Sequence, residues 1–480
     1  MSKAGLTRLC RRLAVATGSQ AVAKRLAPKL DGLLQLLIDS DAMARACVSR
    51  ADHKPYRLPA AGQPQLAQIL SIVSQPPPAF RLQLKEASPA VRGLIDILRD
   101  EARARGVRTL GNTGLTRGLR GKGLVMSDGT ILGFGPYQDL DPEWIQALLD
   151  YLNTLLKPND IRPFRPTEST APYCKPLVAG SGPIRIALLG EWGTGPFDAG
   201  GHHPATNVMQ TLTQLAPDYI VHLGDVYYSG EETGSPAHQE ESKKLVQMWP
   251  AMPPERSFSL NSNHEIYSGG QGYYGTALGR DPTVTTPFRH QNGLSYFALT
   301  GGSLAIVGLD SAYFDNSPMC MNGGLGSVSR DPQIDFLRNL AGSHDKLILL
   351  THHNPMATDG TKASGKLWQQ ITALTRLGQV QLWYWGHVHL GILYAKTSLL
   401  GKAGIRAGCS GHGAIPIGNA WGLDAKPGIS WRSNELVGGA APANRVKNGF
   451  ALLTLTQDGG ITEEFYDADN RIAVASRTGL

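Results

Sequence analysis

The sequence predicts an α/β chain in which mixed β-sheets are preceded by a smaller, mainly helical region. Three observations carry this. Short apolar runs at residues 184–189, 219–222, 347–350 and 381–385 have the length of strands buried on both faces, and a glycine or a polar cluster follows each. Helical patterns alternate with them at 206–215, 238–248, 331–340 and 366–377. Two further pairs of apolar runs, within 295–309 around Gly301 and Gly302 and within 450–466 around Asp458 and Gly459, read as hairpins, which a purely parallel sheet would not contain.

The front of the chain reads differently. Residues 1–50 are helical in pattern, with Leu30, Leu33, Leu34, Leu37 and Ile38 forming an apolar stripe. A proline-rich break at 75–78 precedes a second helical stretch at 88–105. Within 123–135, Asp128 and Gly129 separate two apolar runs and predict a β-hairpin. A helix is expected over 141–156, with Asp141 as N-cap and Pro142 at its first position. Prolines concentrated in 158–183 read as a linker. The expected organisation is therefore a helical domain over 1–160, a linker over 161–183 and a second domain over 184–480. Nothing in the front domain reads as chemistry.

At 480 residues and 41% hydrophobic, the chain has room for more than one core and an ordinary globular composition. No apolar run approaches the roughly 18 residues of a membrane span. The N-terminus carries Arg11 and Arg12 before a short apolar stretch, but Gly18, Ser19 and Gln20 interrupt it and Lys24 and Arg25 follow, so a basic helix is expected rather than a signal sequence. Five widely spaced cysteines, Cys10, Cys47, Cys174, Cys320 and Cys409, contain no C-x-x-C pair and point to free thiols in a reducing compartment, hence a cytoplasmic location. The net charge of +7 belongs to the first 180 residues, with Arg103, Arg105, Arg108, Arg117, Arg120 and Lys122 as its densest cluster. Without aromatic interleaving or a recognisable motif, a solvated basic surface is favoured over a nucleic-acid site. Of 13 histidines only His53 precedes residue 201, which places the chemistry in the second domain.

That chemistry gathers at strand ends. The stretch 219–230 reads YIVHLGDVYYSG, so a buried strand runs into Gly224 and then Asp225. Burying such a carboxylate is costly unless a positive charge meets it. Other strand ends offer matching groups: Glu191 after Gly190, the cluster Asn263, His264 and Glu265, then His352 and His353, and Gly386 followed by His387 and His389. Oxygen and nitrogen donors in this mixture suit Fe, Mn or Zn rather than Ca. If the segment after Gly386 stays extended, His387 and His389 point to one side.

This ordered set resembles the calcineurin-like metallophosphoesterase superfamily, and within it the purple acid phosphatase branch of bacterial type. Gly224, Asp225 and Tyr228 match the G-D-x-x-Y block, Asn263, His264 and Glu265 the G-N-H-E/D block, His352 the single histidine, and Gly386, His387 and His389 the G-H-x-H block. Gly193 stands where other branches have histidine. Two positions depart from the pattern: Glu191 replaces aspartate and Ser262 replaces glycine. The resemblance implies a four-layer αββα sandwich of two mixed sheets with a dinuclear metal site at the sheet edge. It also implies hydrolysis of phosphomonoesters or phosphodiesters of a phosphorylated small molecule by a metal-activated hydroxide. Asp225 would bridge two ions drawn from Fe, Mn or Zn; Glu191, Tyr228 and His389 would complete one, and Asn263, His352 and His387 the other. His264 would serve the leaving group and Glu265 would orient it. Tyr227 competes with Tyr228, and His353 with His352. His202, His203 and His412 are candidates to line the pocket, and Asp310 reads as structural. A nuclease or cyclic nucleotide phosphodiesterase is the enzymatic alternative. A binding module with a weakened metal site is the other, supported by Glu191 and Ser262. The sequence leaves the oligomeric state open.

Overall fold

The computed structural model describes residues 3–48, 84, 87–107, 124–139, 141–166, 171–178, 182–233, 238–327, 331–438, 445–468 and 471–477. The proline-rich break at 75–78, His53, and Arg108, Arg117, Arg120 and Lys122 of the basic cluster lie outside these residues.

The front region is helical as expected. Helices α1 (Lys3–Thr17), α2 (Gln20–Val48), α3 (Pro89–Ala104) and α4 (Trp144–Leu156) pack around Leu9, Leu13, Leu30, Leu34, Leu94, Leu98, Leu148 and Leu152. Ser88 caps α3, its hydroxyl accepting the Val91 N–H at 3.3 Å, and Pro89 opens the first turn, where its missing N–H costs nothing. Arg12 of α1 donates to Glu101 of α3 at 3.0 Å, tying the two helices together. The hairpin forms as β1 (Leu124–Val125) and β2 (Ile131–Leu132). Helix α4 begins at Trp144, later than expected; Asp141 Oδ1 still accepts the Glu143 N–H at 3.1 Å just ahead of it, while Oδ2 accepts the Tyr137 N–H at 2.7 Å.

The second region holds two mixed sheets face to face. Strand β3 (Tyr173–Pro176) lies in the stretch expected as a linker; it pairs in parallel with β7 (Phe297–Gly301) at a sheet edge, a position proline tolerates. The six-stranded sheet runs β16 (Arg471–Arg477), β15 (Ile461–Asp467), β14 (Gly449–Leu455), β4 (Ile184–Leu189), β5 (Tyr219–His222), β6 (Ser257–Ser259). The eight-stranded sheet runs β13 (Ile429–Arg432), β11 (Gly391–Tyr394), β12 (Arg406–Ser410), β10 (Val380–Trp385), β9 (Lys346–Thr351), β8 (Leu304–Leu309), β7, β3. Strands β4, β5 and β6 are parallel, as are β8, β9, β10 and β12, and both expected hairpins, β7–β8 and β14–β15, are antiparallel.

Side-chain alternation builds the layers. Ile186 and Leu188 of β4 point into the core between the sheets with Ile348, Leu350, Leu382 and Tyr384, while Ala187 and Leu189 face outward. The outward face of the six-stranded sheet is covered by α5 (Pro204–Leu215). The other sheet is covered by α7 (Pro332–Ser343) and α8 (Leu367–Leu374), which meet Leu347, Leu349, Trp383 and Trp385. The result is the expected four layers, helix, sheet, sheet, helix. The parallel strands β4, β5, β6, β9 and β10 all end at one edge. The short helix α6 (Asn263–Tyr267) follows β6 there. Among the described residues no helix is long and apolar enough to cross a membrane, and Cys10, Cys174, Cys320 and Cys409 are free thiols.

Candidate metal centre

Asp225 emerges from β5 fully buried, between groups delivered by four other strand ends. Gly224 before it takes φ +103°, and a Cβ there would lie 2.8 Å from His352 Nδ1, so only glycine lets the imidazole approach this turn. His352, after β9, donates from Nδ1 to the Leu223 carbonyl at 2.8 Å. Its Nε2 is therefore the unprotonated nitrogen, and burial depresses the pKa of the ring to about 3, keeping it neutral.

That Nε2 faces three other electron-rich atoms. Asn263 Oδ1 lies 2.9 Å away and Asp225 Oδ1 3.3 Å away. The amide of Asn263 is oriented by its own Nδ2, which donates to the Tyr267 hydroxyl at 2.8 Å. His387 Nδ1 lies 3.2 Å from His352 Nε2, and His387 uses Nε2 to donate to the Met321 carbonyl at 3.1 Å. Four lone-pair donors thus converge with no proton to share. Such an arrangement is repulsive unless a cation lies among them, and the donor set of two imidazoles, one amide oxygen and one carboxylate suits a first-row divalent ion.

A second set surrounds the other carboxylate oxygen. Tyr227 donates to Asp225 Oδ2 at 2.9 Å and lies 3.4 Å from His389 Nε2. His264 places Nε2 3.8 Å from Asp225 Oδ2; its Nδ1 donates to the Tyr228 carbonyl at 2.7 Å, leaving Nε2 without a partner. Burial works against the charge on Asp225, but its neighbours, His264 foremost, hold the carboxyl well below its usual range, and the Tyr227 hydroxyl donates to Oδ2. Glu191 reaches the cluster as well: a carboxylate oxygen of Glu191, one of Asp225 and a ring nitrogen of His352 lie within 4.8 Å of one another. Its Oε1 accepts the His387 N–H, and its Oε2 has no partner. Burial and the nearby charge of Asp225 push the Glu191 carboxyl well above its ordinary value, as expected for an acid lacking a counter-cation.

Several expectations need correcting. Tyr228 does not face the cluster: its hydroxyl donates to Asp141 at 2.5 Å and its ring packs on Tyr137 and Trp144, so Tyr227 occupies the inward position. Glu265 does not orient His264. Its carboxylate accepts the Ser262 hydroxyl, and the imidazole is held by the Tyr228 carbonyl. The segment after Gly386 is not extended; His387 has φ +62°, so His387 and His389 serve different halves of the cluster. His353 contacts Ser311 Oγ at 2.9 Å and the Cys320 carbonyl at 2.7 Å, yet one of its ring nitrogens also lies within 4.8 Å of donor atoms of His352 and His387. Asp310 is structural, accepting from Asn261, Tyr274 and Ser295. His203 is exposed, His202 contacts the Gly438 carbonyl at 3.1 Å, and His412 is buried beside Phe465. Ser262 acts as the N-cap of α6, its hydroxyl accepting the His264 N–H at 3.1 Å, so the side chain that replaces glycine starts this helix and leaves Asn263 in place. Gly193 has no room for histidine: a Cβ there would meet the Asp225 carbonyl and Val226 Cα, each at 2.6 Å.

The front region contributes what its sequence does not announce. Trp144 of α4 packs 5.5 Å from the His264 ring and 5.7 Å from that of Tyr227, and Tyr137 stacks on Tyr228 at 4.7 Å. Asp141, beside them, was legible only as a helix cap.

Compared with known proteins, residues 184–391 match the family of calcineurin-like phosphoesterases. No curated protein matches the chain. Thirty solved chains resemble it. GAP50, described as the anchor in the inner membrane complex of Plasmodium, is 13% identical over 62% of this chain and 89% of its own, with a TM-score of 0.40. The purple acid phosphatase PPD1 from yellow lupin (Lupinus luteus) seeds is 12% identical over 62% of this chain and 54% of its own, at 0.35. The sulfate thiohydrolase SoxB of Thermus thermophilus, in complex with glycerol, is 13% identical over 53% and 56%, at 0.20.

Proposed function

From the match of residues 184–391 to the calcineurin-like phosphoesterase family, we propose that this chain hydrolyses phosphate esters at a two-metal centre of the kind found in the purple acid phosphatase branch. The observation that carries the reading is the unprotonated His352 Nε2, which faces Asn263 Oδ1 at 2.9 Å, His387 Nδ1 at 3.2 Å and Asp225 Oδ1 at 3.3 Å. These four groups would hold one ion. Asp225 Oδ2, Tyr227, His389 and Glu191 would hold the other, so that Asp225 would serve both. Bound there, Fe, Mn or Zn ions lower the pKa of water and neutralise charge on the ester's phosphoryl oxygens.

The protein's own groups supply the rest. Asp225 is held ionised by its neighbours, His264 foremost. Glu191, raised in pKa, gives up its proton when a cation binds. His264, with Nδ1 committed to a carbonyl and Nε2 without a partner, is placed to exchange a proton with the leaving oxygen. The substrate is a phosphorylated small molecule, and free thiols agree with a reducing, cytoplasmic setting.

The test is to load the purified chain with Fe, Mn or Zn, count ions by elemental analysis, and assay p-nitrophenyl phosphate and bis-p-nitrophenyl phosphate. His264→Ala is expected to keep its metal and lose about 10²- to 10⁴-fold in turnover, the usual worth of a proton-transfer group. Asp225→Asn is expected to lose metal and activity together. Wild-type turnover in a metal-free Asp225→Asn protein would refute the proposal.

A further inference from the structure

Two adjacent tyrosines leave the end of β5, and only one turns toward the candidate metals. Tyr227 is fully buried with its hydroxyl on Asp225 Oδ2, whereas Tyr228 is drawn the other way by residues of the front region. Its ring is stacked on Tyr137 at 4.7 Å with the planes 16° apart, and Trp144 meets it edge-on at 4.8 Å. Its hydroxyl donates to Asp141 Oδ2, an oxygen that also accepts the Tyr137 N–H at 2.7 Å. Lys244 lies over the same ring at 5.1 Å and donates to the Tyr227 carbonyl and, at 2.9 Å, to Glu240; Glu240 in turn accepts the Ser229 N–H at 2.9 Å. Tyr228 is therefore a pin between the helical region and the turn that carries Tyr227. The same α4 tryptophan lies 5.5 Å from His264, the group placed to exchange a proton.

We propose that Asp141, with Tyr137 and Trp144 beside it, is a positioning residue of the front region that holds Tyr228 out of the metal centre and so selects Tyr227 as its phenolic ligand. This rests on the two-metal reading above. A chain whose catalytic region met no such clamp would have two phenols at one strand end competing for one position. The helical region thus belongs to the site without touching the reacting atoms.

The experiment uses the full chain offered Fe(III) alone, because a phenolate bound to Fe(III) gives a visible charge-transfer band that no merely structural change produces. Tyr227→Phe is expected to abolish the band at unchanged far-UV circular dichroism, and Tyr228→Phe to retain most of it. Adding Asp141→Ala to Tyr227→Phe is expected to bring a band back, because the freed Tyr228 can take the vacant position, whereas Asp141→Asn, which keeps an acceptor, is expected to bring back much less. A band that survives Tyr227→Phe and vanishes in Tyr228→Phe, an iron-loaded wild type without any band, or no returning band when Asp141→Ala is added to Tyr227→Phe would each overturn the inference while leaving the two-metal reading intact. If the wild type binds no metal at all, the two-metal reading fails instead. The clamp is then read from urea unfolding of the metal-free protein. Asp141→Ala and Tyr228→Phe are expected to be non-additive by about tenfold in the unfolding constant, and additive effects would overturn it.

Discussion

Replacing Glu191 by glutamine should reverse its effect on stability according to whether metal is present. In the metal-free protein Glu191 is fully buried, with one oxygen on the His387 N–H and the other without a partner. Its donor atom and that of Asp225 lie within 4.8 Å. Two like charges at that separation repel by about 3 kcal/mol at an effective dielectric constant of about 20, and protonation of Glu191 caps what is felt near neutral pH, so removing the charge should stabilise the metal-free chain by about 1–3 kcal/mol. Glutamine keeps an acceptor for His387, so little is lost in exchange. With metal in excess the sign changes. A ligand at about 100 times its dissociation constant stabilises by about 2.7 kcal/mol, and a variant binding 10- to 100-fold more weakly forgoes about half to all of that. The assay is the urea midpoint of both proteins, first in EDTA and then in saturating Mn or Zn. Glu191→Gln should have the higher midpoint in EDTA and the lower metal-induced gain. A variant less stable in EDTA with an undiminished metal response would show that Glu191 only supports the His387 turn, and the argument from buried charge would be wrong.

Two more tests follow from the same site. Glu191, Glu265 and Glu241 have raised folded-state pKa values from burial, so the folded chain binds more protons than the unfolded one and stability falls as pH rises above their ordinary value of 4.5. His352 and His389, depressed by burial to about 3 and about 4, act oppositely, raising stability with pH up to their ordinary 6.5 and falling silent above it. The urea midpoint in EDTA should therefore decline between about pH 6.5 and 8 and flatten when metal is added; a rise over that range would contradict the buried-acid reading. Gly193→Ala would drive a Cβ against Asp225 and Val226 backbone at 2.6 Å, so it should destabilise by about 1–3 kcal/mol and weaken metal binding, whereas Gly342→Ala, with open space around it in α7, should stabilise slightly. Chelator competition on both variants decides it, and equal metal retention would remove the steric argument.

What the sequence made legible was the set of strand ends. Parallel strands buried on both faces read as unbroken apolar runs, so β4, β5, β9 and β10 and the ligands just beyond them stood out against polar surroundings. His352 and His387 could be placed because each follows such a run, and Asn263 because it stands in the block Asn263, His264 and Glu265. Spacing chose Tyr228 over Tyr227, and the structure turns Tyr227 inward instead, because residue spacing does not report which way a turning backbone aims a side chain. Asp141 and Trp144 were hidden for a different reason. Their partners, Tyr228 and His264, lie far along the chain, and local pattern carries no trace of a contact made only in the tertiary fold. Ser262 was more readable than its departure from the family pattern suggested, since Ser-x-x-Glu before a helix is a capping signature. Strand β3 was masked by its prolines, which an edge position tolerates.

The strand ends share one further device, and it explains why glycine precedes a ligand three times. Glu191, Asp225 and His387 have φ of 55°, 76° and 62°, a left-handed backbone that residues with a Cβ adopt at a cost of about 1–3 kcal/mol each. Each follows a glycine whose missing side chain leaves room for a neighbouring strand end, and at Gly224 and Gly386 for a cluster side chain itself. A Cβ on Gly190 would lie 3.2 Å from Gly386 Cα, one on Gly386 would lie 2.7 Å from Glu191 Oε1, and one on Gly224 would lie 2.8 Å from His352 Nδ1. The three turns interlock, so strain at one is held by packing at the others. Two buried acids and a neutral imidazole are thereby fixed facing one another by the sheet edge itself. Their mutual repulsion in the absence of a cation then becomes the source of metal affinity, because the groups cannot swing apart to relieve it.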